Sequence, residues 1–302
     1  MASIPILFCI FHMEVVWSSE ERSKTLHIKE TPKMILTEYL KCPICSSPFV
    51  LSGDEKSLVC GRGHNFDLAR QGYVNLCGGS MGKLYEQKEL FQARRNVYEA
   101  GFFRGVEEAA GALLKELFPG NGAVVVEAGC GEGSFLSRME RDNPGNRYIG
   151  LDISKNAVRM AARGNPRISW LVADICKIPI KDGCIDCIID MLTPANYTEF
   201  NRILKPGAYI MKIIPGDSYL RELRRNLGLG RYENKGVDSF FSGQFELLDR
   251  RQITYVFDCE PSISEDIYVM TPMSEKREEE SLRKRVDSVT MDLTLMVGKV
   301  RK

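Results

Sequence analysis

The chain has 302 residues, 44% of them hydrophobic and 27% charged, with a net charge of +1. This fits a globular protein of one or two domains. The near-zero charge excludes a globally basic nucleic-acid binder, so any polyanion site has to be a local patch. Ten cysteines are too sparse for a small disulfide scaffold, and Cys184 and Cys187 fall within apolar strand patterns, which suits reduced thiols and a cytosolic location.

Residues 1–37 show no repeat or periodicity and are expected to be a poorly ordered extension. The apolar run from Ile4 to Phe11 is broken by Pro5 and is far short of the roughly 20 residues that span a bilayer. No basic segment precedes it and no small-residue cleavage pattern follows, so neither a membrane role nor a secretory signal is expected. Met34 stands just before organised sequence and is the expected functional start. His12 and His27 lie in the extension without partners.

Residues 38–78 read as a metal-stapled ribbon. Cys42-Pro-Ile-Cys45 and Cys60-Gly-Arg-Gly-His64 are two ligand knuckles separated by 14 residues, the arrangement that offers Zn2+ a tetrahedron of thiolates and an imidazole. Between them, Phe49–Leu51 and Ser57–Val59 flank a Gly53-Asp54 turn, as a hairpin requires. Four protein ligands leave no position for water, so the zinc is structural. A redox role for the first CxxC lacks the strand–helix context of a thioredoxin.

Residues 79–108 read as a helical linker. Lys83–Arg104 carries a local charge of +2.

Residues 109–302 alternate apolar runs with helical patterns, the signature of an α/β fold with a mostly parallel sheet. Strands are expected over 123–127, 147–152, 168–173, 185–191 and 208–215, with helices opening near Gly133, Ser154 and Thr198. Two late strand-like stretches, 245–257 and 288–300, give a seven-stranded sheet with an antiparallel edge. Cys184-Ile-Asp-Cys187 lies in a strand with its cysteines on opposite faces, so it is not a metal site. Tyr219–Lys235 carries a local charge of +3. This segment and Lys83–Arg104 read equally as walls of an RNA cleft or as solvated helix faces. The run Glu275–Arg285 mixes signs and reads as surface.

The cofactor is legible in Glu127-Ala-Gly-Cys-Gly-Glu-Gly-Ser134. Gly129, Gly131 and Gly133 allow a tight turn at the end of the first strand, where doubly wound folds bind nucleotide-like molecules. A dinucleotide fingerprint needs a third glycine at residue 134, which is Ser here. Pyrophosphate would also sit close to Glu127 and Glu132. A cofactor with a cationic centre would instead welcome those acids, and S-adenosylmethionine (SAM) fits. Asp152, ending the second strand, stands where a ribose-binding acid belongs.

Together with Asp152, Ala173-Asp174 and Arg202-Ile-Leu-Lys-Pro-Gly207, that turn resembles the motifs of class I (Rossmann-like) SAM methyltransferases. The resemblance implies that Glu127, Gly129 and Gly131 hold the methionine end, Asp152 the ribose and Asp174 the adenine. Adding the two knuckles, Asn65–Leu76, Gln92-Ala-Arg-Arg95, Ala100-Gly101 and Met270-Thr-Pro272, the chain is similar from about residue 40 onward to the 23S ribosomal RNA guanine-N1 methyltransferases. Ala208 departs from that family's second glycine after KPG. The resemblance implies a 23S rRNA hairpin in domain II as partner and often a homodimer. It also implies a substrate-facing loop, Asp190–Asn196, in which Asp190 and Asn196 are the candidate catalytic contacts to the base edge; Asp190 reads equally as a cap for the following helix. Guanine N1 is covered in a Watson–Crick pair, so the base has to be flipped out. Tyr73, Phe102 and Phe103 are the candidate stacking residues, with core packing expected for at least two. The rival readings are a small-molecule SAM-dependent methyltransferase, a non-catalytic zinc-ribbon RNA-binding adaptor and a nicotinamide oxidoreductase.

Overall fold

The computed structural model describes residues 35–78, 88–233, 236–271 and 284–301. Expectations placed on the chain up to Met34 (including His12 and His27), on Lys83, Lys235, Pro272 and residues 275–283 lie outside the described residues.

The ribbon hairpin forms as its turn chemistry requires. Strands β1 (Phe49–Leu51) and β2 (Ser57–Cys60) pair antiparallel, and β3 (Asn65–Asp67) adds to the other side of β2. In the connecting turn Ser52 Oγ donates to Asp54 Oδ1 at 2.6 Å, and the Lys56 N–H donates to the same carboxylate at 3.2 Å. Such Asx contacts fix a tight reversal. Strand β4 (Tyr73–Asn75) then leaves the ribbon and joins the large sheet.

That sheet has eight strands, not seven, because β4 pairs parallel with β7 (Ser169–Val172). Beyond β7 come β6 (Arg147–Asp152), β5 (Val124–Ala128), β8 (Ile185–Met191), β9 (Leu204–Pro215), β11 (Ser288–Lys299) and β10 (Glu246–Asp258). The antiparallel strand, β11, is not at the edge: it lies between β9 and β10 and pairs antiparallel with both. Its ten central residues are all buried, whereas β10 alternates exposed and half-buried positions as an outer strand does. Val124, Val125 and Val126 are fully buried, consistent with a parallel strand covered on both faces.

Strand β5 pairs with β6 on one side and β8 on the other. The chain reverses its winding there, and a crevice opens beyond the carboxyl ends of these strands. Helices α3 (Ser134–Asp142), α4 (Lys155–Gly164) and α5 (Tyr197–Ile203) start close to the expected positions. Ser154 caps α4 by accepting from the Ala157 N–H, and Asn196 caps α5 by accepting from the Glu199 N–H.

Two domain boundaries shift. Residue 108 falls inside α2 (Arg104–Leu117), and α1 (Lys88–Glu99) packs on α8 (Pro261–Met270), where Asn96 Nδ2 donates to Asp266 Oδ2 at 2.8 Å. The described part of the expected linker, residues 88–108, therefore packs with the catalytic body. Residue 37 opens a single 3-10 turn (Thr37–Tyr39), and the Leu36 N–H donates to Ser169 Oγ at 2.9 Å. Cys184 and Cys187 pack into layers on opposite faces of the sheet, as the strand pattern requires.

Candidate functional site

The two knuckles converge. The ligand atoms of Cys42, Cys45, Cys60 and His64 lie within 4.8 Å of one another. Cys45 Sγ is 3.6 Å from Cys60 Sγ, and His64 Nδ1 is 3.6 Å from Cys42 Sγ and 3.4 Å from Cys60 Sγ. A tetrahedron with Zn–S bonds of about 2.3 Å has edges of about 3.8 Å, so the donor set is grouped closely enough for small side-chain adjustments to seat zinc. The loops are closed by local bonds: Ser46 N–H to Cys42 O at 2.8 Å and Gly63 N–H to Cys60 O at 2.8 Å. Hydrogen bonds from Ser47 hold the Cys45 thiol down at about 6, favouring the thiolate that a metal takes. All nine cysteines among the described residues are free of disulfides.

The second site is a cavity of 1160 Å3 over the carboxyl ends of β5, β6, β8 and β9. At its polar end the glycine turn approaches two neighbours. Gly129 has φ +75°, and a β-carbon there would meet the Thr193 side chain at 2.5 Å. Gly131 has φ +54°, and a β-carbon would meet Arg94 Nη1 at 2.9 Å. Only glycine leaves that bend open.

Glu127, Gly129 and Asp152 line the cavity. Both oxygens of Asp152 accept backbone bonds, from Gly131 at 2.9 Å and Ser154 at 2.8 Å, so this acid ties the glycine turn to β6. Burial nonetheless raises its carboxyl. Glu127 is buried with Oε2 unpartnered. Burial first, then Glu132 and Asp152, push its carboxyl well above the ordinary range, with Arg94 partly opposing. A buried carboxylate without a partner is costly, and a cationic ligand group at this point would relieve it. The residues fit SAM: an acid for the cationic end, a glycine cradle and a ribose-placed carboxylate.

The other expected residues sit differently. Gly131 shapes the turn through its N–H to Asp152. Asp174 accepts from the Cys176 N–H at 2.8 Å, while its neighbour Ile175 reaches the cavity. Asp190 is fully buried and paired with Lys212 Nζ at 2.8 Å, so it neither caps α5 nor faces the cavity directly. Burial outweighs Lys212 and lifts its carboxyl to about 6. The Asn196 side chain is engaged in capping α5. Tyr73, Phe102 and Phe103 are all buried; core packing claims Tyr73 and Phe102, while Phe103 also borders the cavity.

Among the cavity residues that the sequence did not single out as ligand contacts are Arg94, Lys212 and Phe240. Arg94 stood only within a basic segment and a four-residue motif, and its position over the glycine turn depends on α1 packing across α3 and α4. Arg95 fastens that packing, donating to Glu132 O and Met160 O at 3.1 Å each.

Both parts of the chain match known families. A family model described as "Methyltransferase domain" matches residues 125–207, and one described as "RlmA, N-terminal" matches residues 40–77. The chain is 32% identical over 272 residues to the putative 23S rRNA (guanine-N(1)-)-methyltransferase YxjB of Bacillus subtilis, covering 85% of this chain and 96% of that protein. It is 30% identical over 273 residues to the 23S rRNA (guanine(748)-N(1))-methyltransferase of Streptomyces fradiae, covering 87% and 97%. Among solved structures it is similar to the YcgJ protein of Bacillus subtilis, with a TM-score of 0.48 and 16% identity over 65% of this chain and 99% of that one. With a zinc-fitting ribbon and a SAM-fitting cavity joined in one chain, and with relatives matched over nearly their whole length, this protein belongs to the 23S rRNA (guanine-N1)-methyltransferase family.

Proposed function

We propose that the chain transfers a methyl group from SAM to N1 of a guanine in 23S rRNA, in a hairpin of domain II. The supporting observation is the buried Glu127 carboxyl at the glycine turn, whose Oε2 has no hydrogen-bond partner, in a cavity of 1160 Å3. Small-molecule pockets run to about 1,000 Å3, so the cavity has room for a cofactor and for part of a second reactant.

SAM supplies an electrophilic methyl on its sulfonium. The chain's own residues bind and align: Glu127 and Arg94 at the methionine end, Asp152 at the ribose, and Asp174 beside Ile175 at the adenine rim. Alignment accounts for much of the rate in an in-line displacement. Asp190 and Asn196 act as positioning residues. Asp190 holds the Lys212 ammonium at the cavity wall, and that ammonium donates to Thr193 O at 2.5 Å. Asn196 fixes the start of α5 and with it Tyr197, which lines the cavity. The ribbon, continuous with the sheet through β4, presents RNA to this end of the molecule. A small-molecule acceptor would explain the cavity but would leave the ribbon without a task.

The experiment is methylation of unmodified 23S RNA with labelled SAM, followed by primer extension. N1-methylguanine blocks base pairing and stops the polymerase. One strong stop in domain II is expected; label incorporated without a stop overturns the reading.

A further inference from the structure

Several aromatic side chains line the cavity, among them the buried Phe103 and the half-buried Tyr98, Tyr219 and Tyr232, but a flipped base needs a ring face open to solvent at the mouth. Helix α7 (Val237–Gln244) provides one. Phe240 lines the cavity and is 62% exposed, while the next residue, Phe241, is fully buried. The Phe240 ring lies 5.5 Å from that of Tyr197, tilted by 37°. Tyr197 is itself wedged against Phe241 and Phe245, at 6.1 and 5.4 Å. The exposed ring therefore rests on a rigid aromatic stack.

Of the exposed large apolar side chains among the described residues, the only other one at this cavity is Leu192. Its backbone is left-handed, φ +54°, and its N–H is held by Ile213 O at 3.0 Å. A non-glycine residue held in that conformation is strained, and such strain gathers at ligand-handling positions. Two apolar side chains thus stay in water at one cavity mouth, one of them in a strained backbone.

We propose that Phe240 is the platform on which the extruded guanine stacks, with Leu192 as a second apolar wall. This rests on the guanine reading above. Extrusion costs the base its neighbours in the RNA stack, and an exposed aromatic face returns that stacking without selecting sequence.

The test compares Phe240→Ala, Phe240→Leu and Phe240→Trp for kcat and KM on unmodified 23S RNA, RNA affinity by filter binding, and SAM affinity by calorimetry. Phe240→Ala lowers kcat/KM by about ten- to hundredfold through a raised KM, the range expected for losing one base–aromatic stack. SAM affinity is unchanged, Phe240→Trp restores the loss, and Phe240→Leu does not. Because the ring is exposed, its truncation leaves folding intact. A kcat/KM indifferent to Phe240, a parallel loss of SAM affinity, or a Leu variant as active as Trp overturns the platform. Wild-type chain that makes no N1-methylguanine yet loses RNA affinity on Phe240→Ala sinks the guanine reading and keeps the platform.

Discussion

Lys212 and Asp190 form an ion pair at 2.8 Å across neighbouring strands β9 and β8, with side chains 7% and 0% exposed. The pair is set between the core and the cavity, since Lys212 reaches the wall and Asp190 does not. Removing one partner of such a pair strands the other as a buried charge.

Lys212→Met therefore destabilises the protein by about 3–5 kcal/mol at pH 8. The Asp190 carboxyl is raised in the folded state, to about 6. The stability linked to its proton is fully present below the unfolded value and is lost as pH rises through the folded one. Without Lys212 the folded value climbs further, so the neutral acid persists to higher pH. The destabilisation at pH 5 is accordingly smaller than at pH 8. Urea unfolding at both values checks this, and equal loss at the two would show that the pair is not ionised.

Asp152→Ala removes the acceptor of two backbone bonds that hold the glycine turn. Hydrogen bonds to a charged group are each worth about 1.5–3 kcal/mol, so SAM affinity falls by at least about tenfold. Arg94→Ala leaves the acids Glu127 and Asp152 without their shared cation and weakens SAM by about tenfold, with Arg94→Lys in between. Calorimetry reads both. Unchanged affinity in Arg94→Ala would move the methionine end away from α1.

Zinc removal should separate the two modules functionally. Elemental analysis is expected to give one zinc per chain. Chelation, or Cys45→Ser, unfolds β1–β3, because so small a hairpin depends on its metal. RNA methylation is lost while SAM affinity stays within about threefold, since no zinc ligand lines the cavity. A matching loss of SAM affinity would show that the ribbon supports the cofactor end directly.

The local features of the fold were readable because period and turn chemistry are written residue by residue. The valine run of β5, the acid ending β6, the helix start near Ser154 and the two knuckles all depend on near neighbours in the chain. What was not readable depends on distant packing. Tyr73 alternates like any strand residue, and nothing local says that β4 crosses to β7. Asp190 looked like a cap or a base contact because its partner, Lys212, lies 22 residues away on another strand. Phe240 and Phe241 are the same residue type side by side, and only the docking of α7 decides which one faces water.

The strand Tyr73–Asn75 also guards an edge. It covers Trp170–Val172, whose backbone would otherwise stand bare at the end of a long, largely apolar sheet. Uncovered edges of that kind recruit other chains. A catalytic fragment begun after residue 78 would lose its guard along with its RNA reader, so cutting the ribbon away creates a self-associating remnant rather than a minimal enzyme.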